Sequence, residues 1–203
     1  MRLKQFLIAL LLGSSLAVGI FIATKPAEPR TPIAALMIPQ PDPLPDFSLL
    51  DQHGNPITAD SFRGQWDLVF FGFTHCPDIC PTTLQTLAKS KTALIDAGVE
   101  SIPRIVLVSV DPERDTPEAL KRYVEYFGDD NLGVTGDLEE IRKLTDGLGI
   151  YFEKAATTGE NYNVDHSAVV IVVDPQGRFA ALFSAPHKAE QYLHDFPIIV
   201  ASQ

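Results

Sequence analysis

Three apolar runs constrain this chain more than any other feature. WDLVFFGF (66–73), RIVLVSV (104–110) and SAVVIVVD (167–174) are almost uninterrupted by polar residues and rich in β-branched and aromatic side chains. Such runs predict strands buried on both faces of a sheet. The last run is followed by a Pro-Gln-Gly turn and RFAALFS (178–184), which reads as a hairpin. FSLLDQHGNPIT (47–58) reads as a second hairpin around a His-Gly-Asn-Pro turn. Helical signals fill the intervals. One helix is expected from about Cys80 to Gly98, with Leu84, Leu87, Ala88, Leu94 and Ile95 apolar. A second opens at Thr116-Pro117-Glu118, with a cap and a first-turn proline, and stops at Phe127-Gly128. Asp137 caps a third, DLEEIRKLTDGLG, and HKAEQYLHDF makes a last one. The order predicts a mixed central sheet with helices on both faces, the α/β plan of a thioredoxin-like sandwich. A chain of 203 residues is long enough to fill such a domain, expected over 44–203, without a disulfide.

Ahead of that domain, QFLIALLLGSSLAVGIFIAT (5–24) carries no charge. At helical rise it measures about 30 Å, the thickness of a bilayer's hydrocarbon core. A cleaved signal peptide has a shorter apolar region and a small-x-small site, which Ile22-Ala23-Thr24 does not supply. An uncleaved transmembrane helix within residues 1–24 is the expectation. Arg2 and Lys4 put the short tail in the cytoplasm and the rest across a bacterial plasma membrane. Residues 25–43 then form a proline-rich spacer, in a stretch (25–46) holding seven prolines. Setting aside Arg2 and Lys4 leaves 14 bases against 26 acids, a net charge of −12 on the exported part. That argues against nucleic acid or an anionic membrane surface as a partner.

The chain's two cysteines stand four apart in FFGFTHCPDICPTTL (70–84), where the first buried strand gives way to a helix. Ligand sites are expected at that strand end. A structural disulfide between Cys76 and Cys80 would close so small a loop that it would stabilise almost nothing. A redox pair is a second reading, with three intervening residues, Pro77-Asp78-Ile79, instead of the usual two. A peroxidase would want an arginine beside its reactive cysteine, and none lies within ten residues of Cys76. A metal site is the third reading. Two thiolates at a helix start converge on a soft ion, and two are too few for an iron–sulfur cluster or a four-cysteine zinc site.

One or two histidines would complete a copper site. His53 sits in a turn, and His187 and His194 fall on the last helix, where exposure is expected. His75 adjoins Cys76, but neighbours at a strand end point in opposite directions. His166, in NVDHSAVVIVVD, directly precedes a buried strand at a junction where loops carry function. Asp111 and Asp115 read as loop punctuation and a helix cap, and Asp165 is a weak choice for orienting His166.

FTHCPDICP (73–81), SVDPERDTP (109–117) and VDHS (164–167) together resemble the three signature segments of the Sco/SenC family, in order and spacing. The resemblance runs from about residue 44 to the C-terminus. It implies a thioredoxin-like fold and a mononuclear copper site, with Cys76, Cys80 and His166 as ligands for Cu(I), and Cu(II) as a second state. It also implies a membrane-tethered chaperone that delivers copper to, or matures, the Cu-A centre of cytochrome c oxidase. The oxidase's copper-bearing subunit and an upstream copper donor are the expected partners. A thiol–disulfide oxidoreductase acting on the oxidase's copper-site cysteines is the alternative, using Cys76 and Cys80 as its redox pair. A peroxiredoxin-like antioxidant is weaker still.

Overall fold

A computed structural model of the chain describes residues 31–155 and 162–203. The expected membrane anchor, residues 5–24, lies outside them, and among the described residues no helix is long and apolar enough to cross a membrane.

From Pro32 to Gln203 the elements run β1 (Ala35–Met37), β2 (Leu49–Asp51), β3 (Pro56–Ile57), β4 (Asp67–Gly72), α1 (Ile79–Asp96), β5 (Arg104–Ser109), α2 (Pro117–Phe127), β6 (Leu132–Thr135), α3 (Leu138–Leu148), β7 (Phe152–Lys154), β8 (Val164–His166), β9 (Val169–Val173), β10 (Phe179–Ser184) and α4 (Ala189–Ala201). Eight strands form one sheet in the order β1-β10-β9-β4-β5-β6-β2-β3, and β7 and β8 form a separate hairpin. β4, β5 and β6 are parallel, while β9 runs antiparallel to β4, so the sheet is mixed.

The apolar runs become its centre. All six residues of β4 are buried, as expected for a strand with a neighbour on each side and cover on each face. Its one charged residue, Asp67, is fully buried and held by the Arg104 guanidinium (Nε to Oδ1 2.7 Å). Burial pushes that carboxyl up to about 6 against the pull of Arg104. The crossovers β4-α1-β5 and β5-α2-β6 step in the same direction along the sheet. Right-handed crossovers then place α1 and α2 on one face. There α1 also packs against α4, whose Phe196 meets Trp66 edge-on at 5.8 Å. On α3, Glu140 accepts the Ser48 amide at 2.9 Å, and Gly147 leaves room for Pro45.

The expected cap residues act as read: Thr116 accepts the Ala119 amide, and Asp137 accepts the Glu139 amide. Four strands were not expected: β7 and β8, which pair with each other around His166, and two in the main sheet. β6 inserts a third parallel strand between α2 and α3, and β1, inside the proline-rich segment, adds an edge strand on β10. The expected last helix is longer than read, starts after His187, and carries Pro197 inside it.

The sheet register does one thing that matters for function. Phe70 of β4 pairs with Val170 of β9 in antiparallel register, so the start of β9 lies beside the end of β4. Gly72 pairs with Ser109 in parallel register, so the loop after β5 reaches the same edge. Three sequence-distant segments therefore meet where β4 stops.

Candidate metal centre

β4 ends at Gly72, and residues 73–78 turn into α1, with the Cys76 amide bonded to the Phe73 carbonyl at 3.3 Å. Cys80 lies in the first turn of α1, fully buried, while Cys76 is half-buried. The Cys80 amide donates to Cys76 Sγ at 3.4 Å, so a free first-turn N–H of the helix is spent on a sulfur. Both thiols are free. His166 closes β8, opposite Phe152 of β7, and its ring packs edge-on against Phe70 (5.9 Å) and Phe73 (6.0 Å). Its Nε2 lies 3.6 Å from Cys80 Sγ. One ligand atom from each of Cys76, Cys80 and His166 lies within 4.8 Å of the others.

The electrostatics assign the protons. Burial pushes the Cys80 thiol far above its ordinary range, and the neighbouring Cys76 and Asp115 push the same way. A helix N-terminus is expected to favour thiolates; at Cys80 burial wins, and the group is a thiol at neutral pH. Burial also lowers the His166 imidazole, against the Ser167 carbonyl and Asp165, so the ring is neutral. Its Nδ1 faces the Ser167 carbonyl at 3.3 Å, which only an Nδ1–H can satisfy. Nε2 is then the lone pair turned toward Cys80, accepting its S–H. Two thiols and an imidazole nitrogen in one cluster are soft and borderline donors of the kind that hold Cu(I) or zinc. Three donors leave a coordination position open for an incoming ligand.

The loop after β5 supports this arrangement in a way the sequence reading missed. Asp115 is not a helix cap. It is fully buried and accepts the Thr74 amide (3.0 Å), the Thr74 hydroxyl (2.6 Å) and the Ser109 hydroxyl (2.7 Å), tying the cysteine turn to the end of β5. Asp111 is not mere punctuation either: it pairs with Arg114 and accepts the Tyr162 hydroxyl at 2.7 Å. Arg114 stacks on Tyr162 (3.7 Å to the ring centroid) and on Phe73 (5.6 Å). Neither stacking partner sits near Arg114 in sequence, so no local signal pointed to this cluster.

A cleft of about 460 Å³ opens on Cys76, lined also by His75, Pro77, Ile79, Arg114 and Tyr162. An arginine therefore does stand in the cleft beside Cys76, brought from 38 positions away in the sequence. His75 shares the cleft with Cys76, contrary to the expectation that the two point apart. The strand alternation behind that expectation stops at Gly72, and residues 74 and 75 are in a turn. His75 nonetheless lies outside the three-atom cluster. His53 and His194 are exposed as expected. His187 is not: it precedes α4, is half-buried, and bridges the Tyr192 hydroxyl (2.8 Å) and the Ala168 carbonyl (3.2 Å). Asp165 is exposed and accepts from the Asn163 side chain, leaving the orientation of His166 to Ser167.

The family model described as SCO1/SenC matches residues 37–200. The crystal structure of Arabidopsis thaliana ScoI with copper bound is 32% identical and aligns with a TM-score of 0.74 over 79% of this chain and 99% of its own. The structure of Bradyrhizobium japonicum ScoI with copper bound is 36% identical, with a TM-score of 0.66 over 76% of this chain and 97% of its own. An SCO2-like protein of Rickettsia prowazekii is 30% identical over 204 residues, covering 97% of this chain and 98% of its own. A match this long, on a thioredoxin-like fold whose strand ends gather two cysteines and a histidine, has one consequence: this chain belongs to the SCO1/SenC family.

Proposed function

We propose that this chain is a copper carrier that delivers copper to, or matures, the Cu-A centre of cytochrome c oxidase, with Cys76, Cys80 and His166 as its ligands. The observation that carries the reading is the gathering of those three ligand atoms within 4.8 Å, from segments 86 residues apart. Relatives of similar sequence whose structures hold copper support it, as does the family's role in oxidase assembly. Residues 5–24 anchor the chain in a bacterial plasma membrane, and the domain, whose first strand β1 already lies inside the proline-rich stretch expected as a spacer, works on the extracytoplasmic side, where an oxidase copper subunit and a copper donor meet it.

The residues divide the work. The metal displaces the Cys76 and Cys80 thiol protons, so binding releases protons and weakens as pH falls. His166 needs no deprotonation, because burial already keeps Nε2 free. The Ser167 carbonyl holds the ring in the required tautomer. Three-coordinate Cu(I) keeps a side open for the receiving ligand.

A second reading has an observation of its own: the two thiols differ in exposure, Cys76 at the cleft and Cys80 buried beneath it. In thiol–disulfide exchange, Cys76 thiolate attacks one sulfur of a target disulfide and expels the other. Cys80 then attacks the mixed disulfide, the target leaves with two thiols, and Cys76–Cys80 becomes the disulfide.

Metal analysis of anaerobically purified protein tests both readings. One copper per chain is expected, lost in Cys76→Ser and Cys80→Ser. His166→Ala should lower Cu(I) affinity by more than about tenfold, over about 1.4 kcal/mol, and leave thiol exchange largely intact. Unchanged copper binding in that variant would overturn the ligand assignment.

A further inference from the structure

We propose that His75 is an entry ligand, whose Nε2 takes copper at the mouth of the cleft and passes it to Cys76. The inference rests on the copper reading above and adds a position to it.

Hydrogen bonding at Thr74 selects the tautomer of the neutral imidazole. The buried Asp115 carboxylate accepts the Thr74 amide at 3.0 Å and the Ser109 hydroxyl at 2.7 Å, and the Thr74 hydroxyl is its third donor at 2.6 Å. A hydroxyl has one proton to give. With that proton spent on Asp115, Thr74 Oγ1 meets His75 Nδ1, 3.1 Å away, only as an acceptor. Nδ1 is therefore the nitrogen that holds the hydrogen in the neutral ring, which leaves Nε2 as the one open to a metal, on a side chain 55% exposed.

This is the arrangement that prepares a histidine for a metal. The non-ligating N–H donates to a fixed group, which sets the ring and raises the basicity of the other nitrogen. Here the group is a hydroxyl relayed to a buried carboxylate whose nearer oxygen lies 3.9 Å from Nδ1. A histidine serving only to fill a solvated turn has no use for such backing. The placement matters as much as the tautomer. His75 lines the cleft through which Cys76, the less buried of the two sulfurs, is reached, yet stands outside the three-atom cluster. It is placed to hold the ion before or after the resting site does, not within it.

The exchange involves no change of oxidation state. A Cu(I)–Nε2 bond forms as a bond to the incoming carrier breaks. Cys76 sulfur then takes the ion from Nε2, Cys80 and His166 complete the site, and the two thiol protons pass to solvent. Release runs the same path backwards.

Stopped-flow uptake of Cu(I) from a colorimetric bidentate chelator complex, with the equilibrium affinity measured in the same competition, tests the proposal. In His75→Ala, uptake and release should both slow by about tenfold, a loss typical of perturbed metal-ligand shells, while affinity stays within about twofold. Thr74→Val should slow both rates in the same direction, and Thr74→Ser should restore them. Wild-type rates in His75→Ala would overturn the proposal. So would an affinity loss matching the rate loss, which would make His75 part of the resting site. A wild-type protein that takes up no Cu(I) at all would overturn the copper reading itself, a result distinguishable from both.

Discussion

Gly72 and Cys80 stand so close that a methyl group on Gly72 would lie 2.8 Å from the Cys80 sulfur. The last residue of β4 is thus the floor of the candidate site, and its missing side chain is the space the sulfur occupies. The same methyl would meet Phe70 Cε1 at 2.9 Å and Leu107 Cδ1 at 3.3 Å, so it cannot turn away from the sulfur into free space.

Gly72→Ala should therefore damage metal binding without touching a ligand. Overpacking of this kind costs about 1–3 kcal/mol, visible as a lower Tm of the metal-free protein. It should also push Cys80 Sγ off its 3.6 Å approach to His166 and lower Cu(I) affinity by about tenfold or more. The check is a double-mutant cycle: in a Cys80→Ala background the stability cost should shrink markedly. An equal cost in both backgrounds would show that the sulfur is not what the methyl strikes.

Tyr162 is expected to shield Cys76. Its ring stacks with the Arg114 guanidinium at 3.7 Å and with Lys154 Nζ at 3.9 Å, and its hydroxyl donates to Asp111 at 2.7 Å. Tyr162→Phe keeps the stack and loses the hydroxyl bond, a change of about 1 kcal/mol at most in a half-exposed setting. Tyr162→Ala removes one wall of the cleft on Cys76. Alkylation of Cys76 by iodoacetamide should speed up several-fold in the Ala variant and stay near wild type in the Phe variant. Equal rates in all three proteins would show that the ring shields nothing.

What the sequence disclosed follows from how each element is held. β4, β5 and β9 are buried through most of their length and β10 through half of its own, so their residues had to be apolar and their runs were legible. β6 is four residues, Leu-Gly-Val-Thr, and is a strand because β5 on one side and β2 on the other supply its hydrogen bonds. No local pattern that short separates a strand from a loop. β1 hides among prolines for the same reason: its pairing with β10 defines it, not its propensity. At the site, Cys76, Cys80 and His166 stood out as chemically distinctive residue types. Asp115 and Asp111 did not, because a carboxylate after a strand reads as a turn or a cap until the third dimension shows Thr74 and Tyr162 bonded to it. The expected last helix begins two residues before the observed one, which puts His187 on it, and the cradle formed by Tyr192 and Ala168 leaves no local trace.

Asp195 is expected to fasten the entry of the chain into the domain in a pH-dependent way. Its carboxylate is fully buried on α4 and accepts the amides of Ile33 (2.9 Å), Ala34 (2.8 Å) and Ala35 (2.8 Å), besides His194 Nδ1 (2.6 Å). Burial pushes this carboxyl up, but His194 and the three amides outweigh it and hold it below the usual range. The sign follows. A group with a depressed folded pKa binds its proton more readily when unfolded, so its contribution is complete well above the ordinary value near 3.8. That contribution is lost as pH falls below about 4 and through the folded pKa. Asp195→Asn cannot serve the amides with two charged oxygens and turns an amide N–H₂ toward them; roughly 2–3 kcal/mol of stability should go at neutral pH. The stability difference between wild type and Asp195→Asn, measured by urea unfolding, should then narrow steadily below pH 4. Amide exchange at Ile33–Met37 should rise first, because among the described residues β1 pairs only with β10 and needs this clasp at its start. A difference that stays constant between pH 7 and pH 3 would mean that the carboxylate's charge contributes nothing to holding β1 in place.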